Sequence, residues 1–160
     1  YGHDIHGNVI RLSLLRAPKA PDPECDMGVH RFTYVLMPHF GPFNYAGVVS
    51  AAYALNAPVR HAFLKPNGGH SGTLPALVSC EDRNIVVETV KKAEDGNAIV
   101  VRMYECHNAR GRAELFCARP FRSVWLCDME ENPETELDAT DGMIGFDYKP
   151  FEIITLRLEV

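Results

Sequence analysis

Residues able to do chemistry stand at the very start of the chain. His3-Asp4-Ile5-His6 places two imidazoles and a carboxylate within four positions, a donor set that suits zinc. In an extended strand, however, His3 and His6 point to opposite faces, so a shared metal needs a turn beside them. Gly2 and Gly7 are placed to allow one. A polar strand end and a rim facing a substrate are the competing readings. Cys106-His107 pairs a thiol with an imidazole, but neighbours along a strand diverge, which favours a core thiol beside a turn histidine. His30 and His39 bracket one expected strand and cannot share a ligand, while His61 and His70 fall in or near a polar loop. Carboxylates cluster at Glu81-Asp82, at Glu94-Asp95 and from Glu130 to Asp138. All lie in turn-like surroundings where nothing would raise a carboxyl pKa for general-acid work, so they read as solvated. There is no glycine-rich phosphate loop and no Gly-x-Ser-x-Gly elbow.

Two single residues stand out. Arg16 closes an apolar run and leads into Ala17-Pro18-Lys19-Ala20-Pro21-Asp22-Pro23, a proline-stiffened stretch that can aim a side chain at a neighbouring surface. A strand-end arginine in solvent explains it equally well. Trp125 is the sole tryptophan, and Val124, Leu126 and Met129 around it favour core packing over sugar stacking. The 5 cysteines, at positions 25, 80, 106, 117 and 127, include no Cys-x-x-Cys pair. Four sit in apolar runs and read as small buried hydrophobes in a reducing compartment, which points to the cytoplasm.

The elements that must position these groups are mostly short strands. Asn8–Arg16 and Arg31–Met37 are expected strands; in the second, Phe32, Tyr34 and Leu36 share one face. Asn44–Asn56 repeats apolar residues at helical spacing, with Asn44 as its cap and Ala57-Pro58 as its stop. Residues 64–75 read as a mobile surface loop. Beyond them a meander follows: 76–80, 85–91, 98–106, 112–119, 123–129, 143–148 and 151–159. Asp95-Gly96 marks a hairpin between the second and third of these. Residues 130–138 read as an acidic loop, and the last strand is expected to turn Phe151, Ile153 and Thr155 inward. Eight or nine strands with regular turns predict an all-β fold, a two-sheet antiparallel β-sandwich with one helix in a connection.

Composition bounds the function classes. A chain of 160 residues with 46% hydrophobic and 23% charged residues has the size and mixture of one globular domain. Net charge is −5 and the bases are scattered, so nucleic acid is not an expected partner. No apolar run approaches the roughly 20 residues of a membrane span, so a membrane is not expected either. The chain begins at Tyr1 rather than Met, which suggests a piece of something larger.

Three stretches carry a resemblance. Residues 1–39 (YGHDIHGNVIRLSLLRAPKAPDPECDMGVHRFTYVLMPH), residues 85–114 (IVVETVKKAEDGNAIVVRMYECHNARGRAE) and the closing KPFEIITLRLEV resemble the C-terminal domain of glycoside hydrolase family 38 α-mannosidases, nearest the cytosolic-type branch. The resemblance implies that residues 1–160 are a single C-terminal β-sandwich domain of a larger enzyme that hydrolyses terminal α-linked mannose with retention. It implies a zinc ion and an aspartate nucleophile in the catalytic domain, upstream of this chain, with no catalytic, cofactor or metal residue here. The expected partners are that catalytic domain and α-mannoside oligosaccharides. By resemblance, Arg16 matches an arginine that reaches the sugar site, and Tyr1, His3 and Asp4 would lie nearby on the cleft wall. The fragment alone is expected to be inactive. Two other readings stay open: an independent carbohydrate-binding module, with exposed aromatics in a groove, and a structural sandwich that self-associates as a homo-oligomer.

Overall fold

A computed structural model of the chain describes residues 2–61 and 75–160. These divide into two compact units, Tyr1–Pro38 and His39–Val160.

In the first unit β1 (His3–His6) pairs antiparallel with β2 (Val9–Leu12), His3 opposite Leu12 and His6 opposite Val9. Gly7, at φ 58°, and Asn8 make the two-residue turn between them. The expected strand over Asn8–Arg16 is therefore half of a hairpin that begins earlier and ends at Leu12. The backbone N–H of Ser13 still donates to the Gly2 carbonyl at 2.9 Å, one step beyond the ladder. Arg31–Met37 pairs with no strand among the described residues, contrary to expectation.

The second unit opens with α1 (Val48–Asn56), shorter than the expected helix. Its cap is Gly47 at φ 69°, not Asn44, because the preceding residues form turns: Tyr45 N–H donates to the Pro42 carbonyl and Ala46 N–H to that of Phe43. The expected loop over 64–75 lies outside the described residues except for Pro75. Then come β3 (Val78–Cys80), β4 (Ile85–Lys92), β5 (Ala98–Glu105), β6 (Gly111–Cys117), β7 (Ser123–Cys127), β8 (Pro133–Leu137), β9 (Ala139–Thr140), β10 (Met143–Tyr148) and β11 (Ile153–Glu159). They form a four-stranded sheet, β3-β6-β10-β9, and a five-stranded sheet, β4-β5-β11-β7-β8, antiparallel throughout.

Alternation decides which side chains meet between the sheets. Ala113, Leu115 and Cys117 from β6 and Ile144, Phe146 and Tyr148 from β10 form one inner face. Val101 and Met103 from β5, Val124 from β7 and Ile154, Leu156 and Leu158 from β11 form the other. The result is an all-β sandwich with one short helix among the described residues, as expected. Two details differ. Residues 133–137 of the expected acidic loop pair with β7 as the edge strand β8, where Glu134 and Glu136 keep an exposed edge soluble. The last strand faces the other way: Ile154, Leu156 and Leu158 point inward, and Phe151 and Ile153 are exposed. Thr155 and Arg157 lie on the outer face, yet both are buried there.

Candidate functional site

The sequence-expected site residues all fall in the first unit. Tyr1 lies outside the described residues. His3 and Asp4 are neighbours on β1 and both are exposed. Asp4 accepts a hydrogen bond from Arg11 across the hairpin at 2.9 Å, an exposed pair that contributes little to stability. His3 and His6 stay in one extended strand, because the turn follows His6 rather than separating the two. Among the described residues no three His, Cys, Asp or Glu side chains gather as a metal set. His3 and His6, three apart in that strand, thus point to opposite faces and do not share a metal geometry. Arg16 is exposed and lies four residues past the end of β2, outside the paired ladder.

In the second unit the expected solvated carboxylates are not uniformly solvated. Asp82 is half-buried, and its Oδ2 accepts the Tyr148 hydroxyl at 3.0 Å while its Oδ1 accepts the Asn84 backbone N–H at 2.9 Å. Asn84 Nδ2 donates to that same Tyr148 oxygen at 3.0 Å, and His107 Nδ1 stands 3.3 Å from Asn84 Oδ1. Burial, together with the bond to Asp82, pushes the Tyr148 hydroxyl up, so it remains a proton donor. The packing at Tyr148 leaves no room on Gly111, where an added Cβ would lie 2.7 Å from the hydroxyl oxygen. Asp82, Tyr148, Asn84 and His107 form a connected structural network tying the β3–β4 turn to β10 and to the end of β5. Cys106 Sγ is directed to the Arg83 carbonyl at 3.8 Å, while His107 Nδ1 is directed to Asn84.

Glu131 also departs from expectation. It is buried in the turn before β8, where Lys91 bridges it at 2.7 Å and the Glu94 backbone N–H donates to it at 3.0 Å. Lys91 also pairs with Glu94. The Lys91 bond leads the effects that hold the Glu131 carboxyl below its usual range. Asp128 closes the same turn by accepting the backbone N–H groups of Glu130 and Asn132, both at 2.9 Å.

Glu105 is the group that sequence reasoning missed altogether. Fully buried at the end of β5, it accepts backbone N–H groups from His107 at 2.7 Å, Ala109 at 2.9 Å and Phe151 at 2.8 Å. One carboxylate thus fixes both the β5–β6 turn and the β10–β11 turn. Phe151, held there at φ 56°, leaves its ring 65% exposed. Beside it, α1 and β5 border a cleft of about 690 Å³ whose lining includes Tyr53, Tyr104, Met129 and Ile153. Tyr53 and Tyr104 share a hydroxyl–hydroxyl bond of 3.0 Å. Arg102 donates to Thr155 Oγ1 at 3.2 Å and to the Met129 carbonyl at 2.9 Å. Tyr53, Tyr104 and Arg102 are thus each engaged by a neighbouring protein group. Trp125 is half-buried on the outer face of the five-stranded sheet, not in the core between the sheets. The cysteines form no disulfide; Cys117 and Cys127 are buried and the other three half-buried.

These features define a β-sandwich whose polar groups tie its turns together around an apolar core, with no three-residue metal set assembled among the described residues. Residues 84–156, nearly all of β4 through β11, match the family model for the glycosyl hydrolases family 38 C-terminal beta sandwich domain, and this stretch of the sandwich belongs to that family. It is 40% identical over 163 residues to alpha-mannosidase 2C1 of Mus musculus and 39% identical over 163 residues to alpha-mannosidase 2C1 of Homo sapiens, covering 99% of this chain each time. It is 31% identical over 180 residues to alpha-mannosidase of Saccharomyces cerevisiae, again over 99% of this chain. In each case the match spans 16% of the relative's own length.

Proposed function

We propose that the chain serves as a supporting domain of a retaining α-mannosidase and borders the cleft in which terminal α-linked mannose is cleaved. The observation that carries this reading is similarity to alpha-mannosidases along 99% of the chain. Retention requires two carboxyl groups about 5 Å apart flanking the sugar, one as nucleophile and one as acid and then base. No such pair is formed on this sandwich by Asp82, Glu105 or Glu131, which are engaged in structural bonds. By the resemblance, we assign the nucleophile and the zinc ligands to the portion of the enzyme outside these residues, and the enzyme to the cytoplasm. By the resemblance, Arg16 is the residue of this chain assigned to the cleft wall, with Tyr1, His3 and Asp4 assigned nearby. A guanidinium there would hold mannose hydroxyls by directional donation.

Turnover of an aryl α-mannoside tests this reading. The full enzyme should cleave it, Arg16→Ala should raise KM by about tenfold, the loss of one or two charge-assisted hydrogen bonds, and the 160-residue chain alone should be inactive. Measurable turnover by the isolated chain, or an Arg16→Ala enzyme with unchanged KM, would count against the assignment.

A further inference from the structure

Arg31–Met37 has the residue pattern of a strand and no strand partner among the described residues. Its apolar side chains stand in solvent: Phe32 at 53%, Tyr34 at 67%, Val35 at 63% and Leu36 at 78% exposure. The neighbouring hairpin is no better covered, with Ile5 and Ile10 exposed on a sheet of only two strands. Such a ribbon is marginal in water, and a contiguous exposed apolar run of this kind marks an interaction surface.

The pattern also says what kind of surface is needed. Phe32, Tyr34 and Leu36 alternate with Thr33, Val35 and Met37, so both faces of the strand are predominantly apolar. A strand with one face in water alternates apolar with polar, whereas a strand covered on both faces reads as a continuous apolar run. Arg31–Met37 therefore suits an inner position, with a strand on at least one edge and a layer on each face. A second copy of this chain would bring only the same unpaired strand, giving a two-stranded ribbon whose faces stay bare. The relatives point to a larger source, since the match spans only 16% of their length.

We propose that Arg31–Met37 is an inner β-strand completed by strands from the remainder of the same enzyme chain, outside these 160 residues. This rests on the reading of the chain as one part of a larger α-mannosidase. Strand addition supplies main-chain hydrogen bonds along the edges and pockets for the alternating side chains. The segment is then an integral layer of a second sheet rather than a linker to the sandwich.

Peptide-resolved hydrogen–deuterium exchange on the full-length enzyme tests it. Amides of residues 31–37 should exchange at least about a hundredfold more slowly than in a synthetic peptide of residues 29–39, at every enzyme dilution. Exchange at the peptide's rate would overturn the proposal. Protection lost on dilution would overturn it too, by assigning the strand to a second copy. A Leu36→Cys enzyme offers a second reading, with native alkylation of that thiol expected to be about a hundredfold slower than in urea. Alkylation at the urea rate would count against burial. Mannosidase activity is measured on the same sample. An active enzyme with an unprotected segment sinks the strand alone, and an inactive one with a protected segment sinks the functional reading alone.

Discussion

Glu105 shows how one side chain can organise two loops. Burial pushes its carboxyl pKa up, but the backbone N–H groups of Phe151, Ala109, His107 and Asn108 outweigh that and hold it below the usual carboxylate range. Glu105→Ala would leave three buried donors without an acceptor, at about 1 kcal/mol or more each. The expected loss is about 3 kcal/mol or more in the urea unfolding free energy, with Glu105→Gln losing less because one acceptor oxygen survives. The depressed pKa fixes a sign. Between the folded pKa and the unfolded value of about 4.3, the unfolded chain binds the extra proton. Stability from Glu105 is thus complete above about pH 4.3 and falls as pH drops toward the folded pKa, in the same direction as that from Glu131. Urea midpoints measured from pH 6 down to pH 3 should fall less steeply for Glu105→Gln than for the parent. Equal slopes would contradict this account. None of it was legible in the sequence, because Glu105 looks like one more polar residue at a strand end. Its meaning comes from the β10–β11 turn, 46 residues away.

At the scale of elements, local chemistry was legible where it acts locally. Asp95-Gly96 marks a turn whatever its surroundings, and β4 and β5 flank it as expected, with Gly96 at φ 68°. Asp141-Gly142 carries the same signal at the β9–β10 hairpin, with φ values of 52° and 81°, the signature of a type I′ turn. A Cβ at Gly142 would fall 2.7 Å from the Cys117 carbonyl oxygen, so Gly142→Ala combines backbone strain with a clash against fixed backbone. We expect it to cost about 2 kcal/mol in thermal unfolding, whereas a neutral result would mean the hairpin shifts freely. The facing of β11 was not legible. Charged Arg157 suggests an open outer face, but its guanidinium is buried between Asp95 at 2.5 Å and Glu159 at 2.7 Å. Asp95 is 62 residues from Arg157, so alternation alone could not set the phase of FEIITLRLE.

At the scale of the whole molecule, the His39–Val160 sandwich has a continuous core that should unfold as a unit. Leu156, fully buried on the central strand β11 between β5 and β7, lies at its middle. Leu156→Ala should cost about 3 kcal/mol and shift near-UV and far-UV dichroism transitions together. Separate transitions would show that the two sheets melt independently. The Tyr1–Pro38 unit lacks such a core, and its exposed apolar residues are the reason its strands were only half legible. A strand pattern records what a segment can pair with, not whether the partner is present.

The sequence by itself determined the all-β class, the hairpin at Asp95-Gly96 and the family resemblance, since alternation, Asp-Gly pairs and motif wording are properties of short windows. It also held the apolar pattern of Arg31–Met37. Tertiary structure alone decided which face of β11 is inside, that 133–137 is an edge strand, and that Glu105, Asp82 and Glu131 are bound rather than solvated. Those outcomes depend on the desolvation and hydrogen-bond partners that each group meets, and such partners are brought together only when distant strands pack.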